Sequence, residues 1–304
     1  MLWKLPEISL TPEVLFHIGP FGITNTLICT WICILAIITV LFFGTRKRDM
    51  IPSGIQNFVE WSIELLMGLV DSVAGKEKGR RFFPLIATFF IFVLFANLLD
   101  VLPGVDTLGS IRADKLAVHG ATQPFLGFLL YGNTSNAVVP WLRPPTTDLN
   151  VTLSLALVSV VVTQVFGFIY LGAGGQLSKY INFKGFIKDG KFSGLGFIDL
   201  AIGLVEIISE IARLISFSVR LFGNIFAGSI LLAVFAFLVP ALANIIFIPL
   251  ELFVAFIQAF VFALLSLVFM QVGSVSHDDH TESEHDAREE TEVAEARREA
   301  VATH

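Results

Sequence analysis

Charge is what this sequence has least of. Only 15% of its 304 residues are Asp, Glu, Lys or Arg, while 55% are hydrophobic. A soluble domain carries about 25% charged residues. The apolar residues also fall in long blocks instead of alternating, which argues for a polytopic membrane protein. Cysteine is nearly absent. Cys29 and Cys33 stand one helical turn apart in an apolar run with no His or second Cys pair beside them. Apolar packing is therefore the stronger reading of the pair, and no metal site or cofactor is expected. No basic cluster with interleaved aromatics is present, which excludes a nucleic-acid reader. No internal repeat of the transporter kind is visible. The opening stretch MLWKLPEISLTPE lacks a basic head leading into a short apolar core, so no cleaved signal peptide is expected.

What is present is a series of apolar segments bounded by basic loops. The first spans 24–43 and ends at Gly44 and the cluster Arg46, Lys47, Arg48. Basic residues favour the cytoplasmic side of short loops, so this end is expected inside and the N-terminus outside. Residues 52–74 follow, with Ile55, Phe58, Val59, Ile63, Leu66 and Val70 at helical spacing and Gln56, Glu60, Glu64 and Asp71 as a polar side. They predict an amphipathic helix lying at the cytoplasmic interface. A second basic cluster at 76–81 precedes an outward span over 82–99, which ends at Asp100. A carboxylate there opposes the helix dipole, so Asp100 is either a simple interfacial acid or has a partner or hydrated pocket.

Residues 104–147 form a long outer segment, and Asp148 or Thr147 suits the N-cap of the next helix. The third span, 151–171, carries Thr152, Ser154, Ser159, Thr163 and Gln164. Such hydroxyls usually bond back to their own backbone. A Gly- and Lys-rich inner loop leads to a fourth apolar segment, 197–238. That length is roughly 60 Å of helix, twice the hydrocarbon thickness, so it must tilt, break or enter solvent. A fifth segment, 249–272, returns to the inside. The sequence then divides into a membrane-embedded part, 1–275, and a tail, 276–304, that is acidic, His-containing and without apolar periodicity. Disorder or a solvated helix is expected for the tail.

The fourth segment holds the anomaly. On a helix, Glu206, Glu210, Arg213, Phe217, Arg220, Asn224 and Ala227 share one stripe. An arginine at the centre of a membrane helix costs about 2.5–3.5 kcal/mol on insertion scales and cannot shed its proton. Arg213 has acids close by on the stripe; an internal ion pair is a sufficient reading there. Arg220 has none within two turns, so its partner is expected on another chain. On the last helix Glu251 and Gln258 share a face. The predicted topology orders Glu206 towards the inside, Arg220 in the middle and Glu251 towards the outside. Two aqueous half-paths separated by a fixed cation would fit that order.

The stretch SVRLFGNIFAG at 218–228 resembles the signature of subunit a of the F-type ATP synthase, and NLLDVLP at 97–103, DLNVTLS at 148–154 and QAFVF at 258–262 extend the resemblance over nearly all of 16–272. The resemblance implies an all-α polytopic membrane protein with five membrane-embedded helical segments, one cytoplasmic interfacial amphipathic helix, and two long, tilted last helices. It implies a non-catalytic, proton-translocating stator subunit in a bacterial-type cytoplasmic membrane or an equivalent energy-coupling membrane, N-terminus outside and C-terminus inside. Its partners would be a ring of c subunits, whose membrane carboxylate faces Arg220, and peripheral-stalk b subunits that meet the amphipathic helix. Glu206, Glu210 and Arg213 would border the inner half-channel; Asn224, Glu251 and Gln258 would line the outer one. Ser229 stands where relatives often carry an acid or histidine, which leaves Glu251 as the titratable group of the outer path. A sodium-translocating version of the same subunit is the alternative. A stand-alone ion transporter would need an acid for Arg220 within the chain, and a structural scaffold would leave Arg220 unexplained.

Overall fold

Glycine and proline decide where the helices of this chain start, break and stop. The computed structural model describes residues 11–46, 54–102, 109–111, 124–125, 129–130, 138–180, 187–188, 191–192, 195–238 and 240–274. The chain opens with a hairpin, β1 (Val14–Ile18) against β2 (Phe21–Thr24), turned at Gly19 with φ 62°. Helix α1 (Asn25–Arg46) follows directly, and α2 runs over Ile55–Val101. Strands β3 (Gly109–Ile111), β4 (Pro124–Phe125), β5 (Leu129–Leu130) and β6 (Val138–Pro140) pair as β3 with β6 and β4 with β5. A 3-10 turn at Pro145–Thr147 leads into α3 (Leu149–Tyr180). A last hairpin, β7 (Ile187–Lys188) with β8 (Lys191–Phe192), precedes α4 (Leu195–Leu238) and α5 (Pro240–Gly273).

Four of these helices hold stretches long and apolar enough to cross a membrane: Asn25–Arg46, Ile55–Val101, Leu149–Leu177 and Ile245–Gly273. An all-helical membrane protein is the result, with short hairpins that the sequence reading does not contain. The expected helix at 52–74 and the span at 82–99 form one element, because the basic stretch between them is itself helical. Gly75 breaks it, with φ 73° and ψ 161°, a conformation that only glycine adopts without strain. Gly172 does the same inside α3 at φ 72°, and the helix resumes to Tyr180 where a loop is expected. Pro240 opens α5 at the first helical position, nine residues before the expected start, and Pro249 lies inside the helix. The acidic tail 276–304 lies outside the described residues, as does most of the long outer segment.

The chain forms two compact units. The first comprises Met1–Ser159 and Ala212–Leu267, the second Val160–Ile211 and Val268–His304. In the first, the part of α2 before Gly75 buries Val59, Leu66 and Val70, and α1 packs on it with Gly44 pressed against Val59 and Ile55. Ile55, Phe58, Trp61 and Leu65 stay exposed and form a second apolar stripe on the same helix. Cys29 and Cys33 are buried in α1 and are not joined in a disulfide. Deeper in this unit Phe89 of α2 and Phe217 of α4 both meet Phe262 of α5, with ring centroids 5.5 and 5.4 Å apart. Leu221 and Ile225 on α4 and Ala255 and Ala259 on α5 are fully buried. Small alanines on α5 let the two helices approach closely.

Candidate functional site

The packing of α4 on α5 fixes which way its polar residues face. Phe217, Ser218, Leu221 and Ile225 are buried, so the stripe a quarter-turn away is the exposed one. On that stripe lie Ser216, Arg220 and Ala227, with Asn224 beside them, all exposed. Phe217, which the sequence groups with the stripe, belongs instead to the buried face.

Arg220 donates from Nη2 to the Ser216 hydroxyl at 3.4 Å on its own helix. Among the described residues no acid pairs with it. Its guanidinium therefore presents most of its five donors outward from the chain. Asn224, one turn on, turns inward and donates from Nδ2 to Gln258 Oε1 at 2.5 Å. This bond crosses from α4 to α5 and joins the exposed stripe to the interior.

Gln258 is 4% and Glu251 5% exposed, two turns apart on α5. Gln258 Nε2 and Glu251 Oε1 are both buried without a hydrogen-bond partner among the described residues. Leaving a buried polar atom unpaired costs about 1–3 kcal/mol, and more for a charged group. A donor and an acceptor left open two turns apart on one helix can each hold water. Glu251 sits where it does because of Gly228. A methyl group at that position would collide with both carboxylate oxygens of Glu251. Glycine on α4 thus makes the seat for the acid on α5, a pairing that sequence spacing does not reveal.

The other sequence candidates lie on α2 and α4. Ser229 turns its hydroxyl back onto Ile225 and Phe226 carbonyls, each at 3.1 Å, and so is satisfied by its own helix. Asp100 is half-buried in the last turn of α2. One turn before it, the fully buried Asn97 reaches from Nδ2 towards the Ala255 carbonyl at 3.5 Å, next to the Glu251 turn of α5. Arg213 is half-buried on α4 in the first unit; Glu206 and Glu210, also half-buried on α4, belong to the second.

Several polar links were not legible from the chain. Asp148 caps α3 by accepting from the Asn150 N–H at 2.9 Å, as its position predicts. Its other oxygen also accepts from the Thr26 hydroxyl of α1 at 3.0 Å. Arg143 braces the approach, donating to the Thr147 hydroxyl at 3.1 Å and the Thr11 carbonyl at 3.0 Å. Thr152 meets Ser218 at 3.3 Å and Ser159 meets Ser266 at 2.9 Å, so two of the span's hydroxyls bond across helices. Among the described residues no three His, Cys, Asp or Glu side chains are grouped as metal ligands.

Comparison with known proteins identifies the family of the chain. Residues 27–271 match the model of the family described as ATP synthase A chain. The chain is 31% identical over 277 residues to ATP synthase subunit a of Gloeobacter violaceus, covering 91% of this chain and 94% of that one. It is 29% identical to ATP synthase subunit a of Moorella thermoacetica over 85% of this chain and 94% of the relative. To ATP synthase subunit a 2 of a Bradyrhizobium it is 30% identical, over 88% and 97% respectively. The matched region contains all of α4 and nearly all of α5, and with them Arg220, Asn224, Gly228, Glu251 and Gln258. This integral membrane chain therefore belongs to the ATP synthase subunit a family.

Proposed function

We propose that this chain is the non-catalytic, proton-translocating stator subunit of an ATP synthase membrane sector. One observation carries the reading: Arg220 is a permanent cation on the exposed face of α4, with no acid partner among the described residues. A charge in that position is stable only against an opposite charge or water. A carboxylate on a ring of c subunits would meet that need each time it passes.

The same cation lowers the pKa of a carboxylate facing it and so favours proton release there. It also repels a proton that would otherwise run straight through. Protons would enter from the outer side by way of Glu251, Gln258 and Asn224, and leave past Glu206, Glu210 and Arg213. Asp100, near the outer end of α2, borders the entry. Ser229 is outside the relay in this reading, since its hydroxyl is bonded to its own helix.

The topology that supports this path has five membrane-embedded segments, with α4 and α5 tilted along the ring. The helix before Gly75 lies at the inner interface. Its exposed stripe of Ile55, Phe58, Trp61 and Leu65 suits the headgroup boundary and the foot of a peripheral-stalk b subunit. Basic residues on both sides of it place it, and the C-terminus, inside. Replacing Arg220 with Ala in the assembled complex should abolish proton-driven ATP synthesis while leaving the complex intact. Coupled synthesis retained in that variant, with no compensating arginine, would overturn the reading.

A further inference from the structure

The second unit contains a polar construction that the proton path above does not use. At Gly172 the backbone of α3 leaves the helical region, and the segment after it folds against the one before. Two side chains of that last segment return to Gln164. Gln176 donates from Nε2 to Gln164 Oε1 at 2.6 Å, and the Tyr180 hydroxyl donates to the same oxygen at 2.9 Å. The Gln176 amide lies flat on Gly167, where a Cβ would stand 2.6–2.8 Å from its atoms. Glycine at 167 makes room for the amide, and glycine at 172 makes the turn that delivers it.

Gln164 Oε1 is saturated by these two donors. Gln176 Oε1 is not: the residue is 2% exposed, and this oxygen has no hydrogen-bond partner among the described residues. The end of α5 reaches the same level of α3, since a Cβ at Gly273 would stand 2.9 Å from Thr163. Two residues before it, Gln271 Oε1 is a second buried amide oxygen without a partner. Hydrophobic packing alone would place apolar side chains here. Buried amide oxygens with open lone pairs recruit water, which makes about three hydrogen bonds in such sites.

We propose that the Gly172 turn builds a buried water site at the Gln176 amide, closed by Gln164 and Tyr180, and that this water feeds the inner half-path; the second clause rests on the function proposed above. The site lies at the end of α3 away from Asp148, on the side that the basic loops place inside. An amide cannot itself hold the proton at neutral pH, so Gln176 is a positioning residue that orders water for transfer.

The test uses the assembled complex in membrane vesicles, with Cys29 and Cys33 replaced by Ala. Gln176→Cys should react with a charged, water-borne thiol reagent supplied from the inner side. Gln176→Leu should slow ATP-driven proton pumping about fivefold at unchanged subunit content, and Gln176→Asn should recover part of the rate. Reaction of Gln176→Cys with a lipid-soluble maleimide only would overturn the water site. Wild-type pumping by Gln176→Leu would overturn its part in the path. Neither result depends on Arg220: coupled synthesis in Arg220→Ala would remove the stator function while the thiol reaction still decides whether the water site exists.

Discussion

Asp148 and Glu251 are equally buried carboxylates, each 5% exposed, and they have opposite surroundings. Both oxygens of Asp148 are occupied, one by the Asn150 N–H and one by the Thr26 hydroxyl. Glu251 has a buried oxygen with no hydrogen-bond partner among the described residues, on a seat that only glycine at 228 allows. An acid bonded at both oxygens ties elements of the fold together, whereas one held in place by packing keeps an oxygen for a further donor. Equal burial therefore divides into one carboxylate that ties α3 to α1 and one that the proposed proton path would use.

Substitutions can break this comparison. The largest effect is expected from Glu251→Gln, which keeps shape but removes the titrating group. Proton pumping per assembled complex should fall by roughly a hundredfold, the range of a lost proton-transfer group, measured as ATP-driven acidification of vesicles. Pumping at the wild-type rate would remove Glu251 from the path. Asp148→Asn should do the reverse. Loss of a charge-assisted bond costs about 1.5–3 kcal/mol, so thermal stability of the complex should drop while pumping per surviving complex stays near normal.

Smaller effects sharpen the contrast further. Gly228→Ala forces a methyl group into the Glu251 carboxylate and should cost about 1–3 kcal/mol as overpacking. It should also slow pumping, because it displaces the acid; an unchanged rate with an unchanged Glu251 environment would show that the seat is irrelevant. Ser229→Ala is the smallest. Its hydroxyl bonds only back to its own helix, so stability should change within about 0.5 kcal/mol and pumping should be unaffected. A marked loss of pumping in Ser229→Ala would bring that residue back into the relay.

The ends of α4 were legible in the chain to within two residues, because Pro240 and a long uncharged run mark them. So was the anomaly of Arg220, since charge stands out against an apolar background. The burial face of each helix was not. In water, periodicity separates core from surface, but in a bilayer both the lipid-facing and the protein-facing sides are apolar. Phe217 was therefore grouped with the polar stripe although it points into the core. Ile208, Ile215 and Val219, apolar residues of α4, are all more than half exposed. Contacts that depend on a missing side chain were equally hidden. Gly228 beneath Glu251 and Gly167 beneath Gln176 read in sequence as ordinary small residues. The turns at Gly75 and Gly172 fall directly after the expected ends at 74 and 171; what stayed hidden is that helix resumes beyond each glycine.

The central claim is that the stripe around Arg220 faces a carboxylate-bearing helix of another chain. Ser216 and Ala227 flank Arg220 on that stripe and are exposed, whereas Leu221 is fully buried. Disulfide trapping in the assembled membrane sector tests the claim directly, with the partner cysteine placed beside the membrane carboxylate of the ring subunit. Ser216→Cys and Ala227→Cys should each form the cross-link, and Leu221→Cys should not. Cross-linking from position 221 with none from 216 or 227 would contradict the account.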